Sequence, residues 1–154
     1  MKVIIHADDF GVTESITKNI IDTFKYSLNS TSIITNCYYY KDAIQIYKDN
    51  YKKNIRLSLH LNLVEGKPEN KLYKFKYLID KKNFFNKTYF SLLIKYYLNF
   101  NTQKRLIRDE VKNEIESQII SFVSNFKTKN LSIDSHQHIH TLPFVFKIIL
   151  DLGL

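Results

Sequence analysis

Short apolar, β-branched runs alternate with longer stretches of helical period along this chain. Residues 2–6 read as a short buried strand that ends in Ala7-Asp8-Asp9-Phe10-Gly11. A helix over 13–28 follows, with Ile16, Ile20, Ile21, Phe24 and Leu28 on one face and Thr13 suited to its N-cap. Asn29-Ser30 interrupts it, and 31–38 reads as a second strand. A short helix over 42–48 packs through Ala43, Ile44 and Tyr47. Residues 55–63 form the third predicted strand, in which Ser58, His60 and Asn62 alternate with Leu57, Leu59, Leu61 and Leu63, so its polar residues share a face. A long helix over 102–126 carries the stripe Ile107, Val111, Ile115, Ile119, Phe122 and Phe126, with Lys112 and Glu116 paired on another face. Residues 132–137 are the fourth strand, and Pro143 opens a last helix over 144–152.

Between the third strand and the long helix the periodicity fails. Residues 72–100 hold ten of the 22 aromatic residues, and 69–101 reads as an insertion of short helices covering the strand ends. Most of these rings are expected to pack the insertion onto the domain, with one or two tyrosines as platforms for a sugar. Alternating strands and helices predict a parallel sheet with functional residues at the carboxyl ends of its strands. An eight-unit barrel takes about 250 residues. The expected fold is therefore a single α/β domain over 1–154, a partial (β/α) barrel of about four units that ends partway round.

At 154 residues and 44% apolar composition the chain can bury one core. A net charge of +8 would suit nucleic acid or an anionic surface. The lysines are scattered, however, with Lys52-Lys53 and Lys81-Lys82 the only adjacent pairs, and Arg56, Arg105 and Arg108 are the only arginines. No basic stripe results, and no nucleic-acid partner is expected. The apolar stretches 90–100 and 144–150 are interrupted by Lys95 and Lys147 and fall short of the roughly 20 residues a membrane helix needs, so no membrane partner is expected either. The single Cys37 cannot form an internal disulfide, and no cleavable apolar leader follows Met1-Lys2. A reducing cytoplasm is the expected location.

Candidate chemistry gathers at the predicted strand ends. Three of the five histidines lie in Asp134-Ser135-His136-Gln137-His138-Ile139-His140. In an extended segment His136, His138 and His140 would point to one side; a histidine-rich surface loop is the plainer alternative. His6 and His60 close apolar runs, so all five histidines mark strand ends. Neighbours on a strand point opposite ways, so only one of Asp8 and Asp9 can share a direction unless the chain has begun to turn near Gly11; the alternative is that both are loop acids capping the next helix. A carboxylate and two imidazoles from separate strands are the ligands of a catalytic metal site with room for water and substrate. A second carboxylate can take the water's proton and a further histidine can protonate the leaving group, the requirements for hydrolysing an amide or ester.

Three stretches, His6-Ala7-Asp8-Asp9-Phe10-Gly11, His60-Leu61-Asn62-Leu63-Val64-Glu65-Gly66-Lys67-Pro68 and Asp134 to His140 with Pro143, resemble the successive signatures of the YdjC-like carbohydrate deacetylases. The resemblance implies a distorted β/α barrel related to the polysaccharide deacetylases. It also implies removal of acetyl groups from N-acetylglucosamine units of chito-oligosaccharides or related N-acetylated sugars. It carries a metal triad onto Asp9, His60 and His136 and, by analogy with the wider deacetylase group, a catalytic base onto Asp8. His138 is the further candidate for catalysis, beside a reading as a buried histidine bonded to a backbone carbonyl; Asn62, Glu65 and His140 are candidates for substrate contact. One divalent ion is implied, magnesium by the resemblance, whereas two imidazoles and a carboxylate better suit zinc, manganese or cobalt. Family members continue past the point matching Leu154 into further strands and a His-Pro element expected to supply the general acid. A fragment, a truncated gene or a second, completing chain would each account for this, and a homo-oligomer is a further expected association. The alternative function is an inactive remnant that retains metal or sugar binding.

Overall fold

The computed structural model describes residues 3–50, 55–128 and 130–153. Its elements run β1 (His6–Phe10), α1 (Glu14–Phe24), β2 (Ser30–Ile33), α2 (Tyr40–Asn50), β3 (Arg56–Leu61), α3 (Tyr89–Tyr97), α4 (Asn101–Phe126), β4 (Ile133–Ser135), a 3-10 segment (His136–Thr141) and α5 (Pro143–Asp151). The four strands form one parallel sheet in the order β1-β2-β3-β4. Each crossover advances one strand in the same direction, and with right-handed connections this builds the wall of a (β/α) barrel. No helix among the described residues is long and apolar enough to cross a membrane.

Pairing puts like residues side by side. Opposite residues in a ladder share a face, and His6 pairs with Ser30, Ser32 with Ser58, and His60 with Asp134. The sheet therefore has one polar face. On the other face Ile33 and Leu59 are fully buried with Phe10, Ala43 of α2 and Phe122 of α4. Beyond Leu61 a second cluster gathers Leu63, Leu78, Leu92, Ile107, Val111, Ile115 and Val145, the meeting place of α3, α4 and α5.

The structure moves the first strand. It starts at His6, where the sequence reading ended it, while Val3, Ile4 and Ile5 lie before it and are exposed. Lys2 lies outside the described residues. Apolar character misled here because β1 is an edge strand whose polar face is filled by histidine and carboxylates rather than by aliphatic side chains. His6 consequently opens β1 instead of closing it, and His60 lies inside β3. The second strand stops at Ile33, well short of residue 38.

The segment expected to hold short helices contains a single one, α3, capped by Thr88 and Ser91. Residues 62–88 are otherwise irregular, with one antiparallel bridge between Ile79 and Phe85. Irregular backbone can be buried only if its N–H groups find partners, and α4 supplies them. Glu110, Glu114 and Gln118 stand one turn apart on α4, all buried. Glu110 accepts from the N–H groups of Lys76, Tyr77 and Leu78, and Glu114 from those of Glu69 and Asn70. Gln118 bonds both the N–H and the carbonyl of Asn62.

Burial pushes the Glu114 carboxyl up to about 7 from an ordinary 4.5, against the hydrogen bonds from Gln118, Glu69 and Asn70. Between those values the folded chain keeps a proton that the unfolded chain has lost, so this group's contribution to stability falls as pH rises, by about 3 kcal/mol at most. Urea unfolding of wild type and Glu114→Gln at pH 4.5 and pH 7.5 is expected to show the variant losing less stability over that interval. Equal losses would overturn this account.

Candidate metal centre

Between Ala7 and Phe10 β1 carries one residue more than β2, since Ala7 pairs with Thr31 and Phe10 with Ile33. This bulge, with left-handed backbone at Asp9 and Gly11, brings the consecutive residues Asp8 and Asp9 to the polar face, a result that a regular strand would not give. Asp9 adopts a left-handed φ of 67°, a conformation costing roughly 1–2 kcal/mol in a residue with a Cβ. Gly11 follows at φ +90°, and a Cβ there would lie 3.3 Å from both Ala43 Cβ and Ile33 Cγ1.

Asp9 Oδ1 lies 2.9 Å from His136 Nδ1 and 3.3 Å from His60 Nε2. Asp9, His60 and His136 each offer one ligand atom, all within 4.8 Å of one another, and could hold a metal ion. The hydrogen bonds from His136 and then His60 hold the Asp9 carboxyl well below the usual range. Its bond to Asp9 raises His136. Burial would lower His60, but the bonds to Asp134 and Asp9 outweigh it and raise the ring to about 9.

The histidine run is not extended. After β4 the chain enters the 3-10 segment, where Gln137 and His138 both have left-handed φ, 53° and 55°. His136, His138 and His140 therefore do not share a side. His136 turns to Asp9, and His138 is exposed, its ring edge-on to His140 at 6.5 Å between centroids. It is thus not a buried histidine. His140 folds back, with Nδ1 2.6 Å from Ser135 Oγ while its N–H donates to the same oxygen at 2.9 Å. Burial lowers the His140 ring.

Asn62, expected to contact substrate, is 1% exposed and its amide is used within the protein. Its Nδ2 donates to Asn36 Oδ1 and the Glu65 carbonyl, and its Oδ1 accepts from the N–H groups of Val64 and Glu65. Asn62 shapes the loop that carries Glu65, whose Oε1 stands 3.5 Å from His136 Nε2 at the exposed mouth of the site. The same loop continues into a cleft of about 490 Å³ lined by Lys67, Tyr73 and Phe75, among others.

Two further site residues went unassigned in the sequence reading. Asp134 Oδ1 lies 2.5 Å from His60 Nδ1, and Oδ2 lies 3.0 Å from His6 Nε2. Asp8 Oδ1 is 3.2 Å from the same His6 nitrogen and 3.4 Å from Ser32 Oγ. Asp134 opens the histidine run, which was a signal, but its place beside His60 depends on the β3–β4 register. Such a carboxylate on the far nitrogen of a histidine orients the ring and raises its basicity.

A family model described as YdjC-like protein matches residues 2–154. The chain is 30% identical over 154 residues to a carbohydrate deacetylase of Clostridium beijerinckii, covering 99% of this chain and 56% of that protein. It is 28% identical to a chitooligosaccharide deacetylase of Yersinia enterocolitica, covering 96% and 53% respectively. A solved structure from Enterococcus faecalis, assigned by name to cellobiose-phosphate cleavage, superposes with a TM-score of 0.72 at 25% identity over 97% of this chain and 54% of its own. The chain spans about half the length of the curated relatives it matches.

In the metal-free protein an NMR titration of the His60 ring is expected to have its midpoint near 9. Its stabilising contribution is then complete below about pH 6.5 and lost as pH rises through that midpoint. Asp134→Asn is expected to bring the midpoint down toward 6.5; an unmoved midpoint would show that Asp134 does not hold the ring.

Proposed function

This chain belongs to the YdjC-like protein family, and from that premise we propose that it is a metal-dependent amide hydrolase. Its substrates would be N-acetylglucosamine units of chito-oligosaccharides or related N-acetylated sugars, from which it removes acetyl groups. The convergence of Asp9, His60 and His136 beside a second carboxylate, Asp8, carries the proposal. The names of the deacetylase relatives support the carbohydrate substrate.

The donor set fits a divalent cation. One carboxylate oxygen and two imidazole nitrogens meet from three separate segments, and Asp134 holds His60 so that Nε2 faces the centre. Two imidazoles and a carboxylate suit zinc or manganese better than magnesium. When bound, the ion supplies Lewis acidity toward the acetyl carbonyl and water.

The remaining roles fall to the chain's own side chains. The Asp8 carboxylate, 55% exposed on the polar face, accepts the proton of the attacking water. His138, on the exposed corner after His136, returns a proton to the departing amine. The Glu65 carboxylate accepts a hydrogen bond from a sugar hydroxyl, and His140, fixed by Ser135, borders the same corner. Asn62 acts indirectly, by holding the Glu65 loop.

Zinc- or manganese-loaded protein is expected to release acetate from diacetylchitobiose, and chelator to abolish the release. His60→Ala is expected to lower kcat/KM by more than about 100-fold, and Asp8→Asn to lower kcat by about 100-fold while the ion at Asp9, His60 and His136 is retained. A folded, ion-loaded chain that releases no acetate would overturn the hydrolase reading and leave a protein that holds an ion without turnover.

A further inference from the structure

Beside the triad, His6, Asp8 and Asp134 each present a ligand atom, all within 4.8 Å of one another. We propose that His6, Asp8 and Asp134, with the Ser32 hydroxyl, form a second divalent-cation site that the parallel sheet holds ready on its polar face.

The argument rests on where the His6 ring is fixed. Its Nδ1 lies 2.7 Å from Ser30 Oγ, so that nitrogen already has a partner. Its Nε2 faces three oxygens at once, Asp134 Oδ2 at 3.0 Å, Ser32 Oγ at 3.1 Å and Asp8 Oδ1 at 3.2 Å. A ring nitrogen has one proton or one lone pair, along one direction. With Nδ1 donating to Ser30 Oγ, the lone pair of Nε2 faces the carboxylate oxygens of Asp134 and Asp8, and a cation seated among the three atoms would be bound by all of them. An imidazole nitrogen and two carboxylate oxygens, with a hydroxyl in reach, are ligands for zinc or manganese.

Three strands hold the group. His6 and Asp8 come from β1, Ser32 from β2 and Asp134 from β4, and the bulge in β1 frees Asp8 to join them. An ion can reach the group, since the side chains of His6, Asp8 and Asp134 are 29%, 55% and 32% exposed. Asp134 touches both groups, one oxygen toward His60 and the other toward His6. On the hydrolase reading proposed above, a cation here would engage Asp8 and withdraw it from proton transfer, so excess metal would inhibit.

The test is equilibrium dialysis of the metal-free protein against zinc, with circular dichroism as a check on folding. Wild type is expected to bind two zinc ions per chain, His6→Asn one, and His136→Ala one. Should His6→Asn unfold, Asp8→Asn takes its place with the same expectation. One zinc in wild type that persists in His6→Asn but is lost in His136→Ala overturns the second site and leaves the triad standing. One zinc that is lost in His6→Asn but persists in His136→Ala upholds the second site and removes the triad. Two zinc ions unaffected by either substitution would be surface binding and would also overturn the proposal.

Discussion

A buried imidazole needs hydrogen-bond partners for its ring nitrogens, and here the Asp134 carboxylate serves two rings. One of its oxygens meets His60 and the other His6, so the polar face is held together from β4 through β3 to β1. An unpaired buried histidine or carboxylate would cost several kcal/mol. The pairing lets the molecule place five ionisable side chains where a sheet would otherwise carry aliphatic ones. It also determines which nitrogen of His60 is free to face Asp9, and the rest of the site follows from that choice.

The bulge in β1 solves the complementary problem of aiming two adjacent acids at one face. Without the extra residue Asp8 and Asp9 would point to opposite sides, one into the apolar layer under α1 and α2. With it, Asp9 completes the triad and Asp8 stands one step away among His6 and Ser32. The left-handed backbone at Asp9 is tolerated because its carboxylate is bonded to both His60 and His136. Local strain and the charge network therefore support each other.

Just past the carboxyl end of β3, α4 takes the place of a missing ladder. Its buried row of Glu110, Glu114 and Gln118 satisfies the backbone of an irregular segment and, through Asn62, sets the loop that presents Glu65 to His136. The helix thus bears on the site although none of its residues lies in it. The aromatic residues of the segment lack a period because side chains of a neighbouring helix, rather than a repeating backbone ladder, hold the chain there.

What the sequence by itself determined is the succession of strands and helices, the polar face of β3, the stripe on α4, the N-cap at Thr13 and the helix start at Pro143, and the residue types of a candidate metal triad. These are local matters, written in periodicity and in the stereochemistry of single residues. The start of β1, the reversal at Gln137 and His138, the inward use of Asn62 and the roles of Asp134 and His6 were decided only by tertiary structure. Each of them depends on register or on a contact between residues more than twenty positions apart, or on a change of backbone direction that no alternation of polar and apolar residues records.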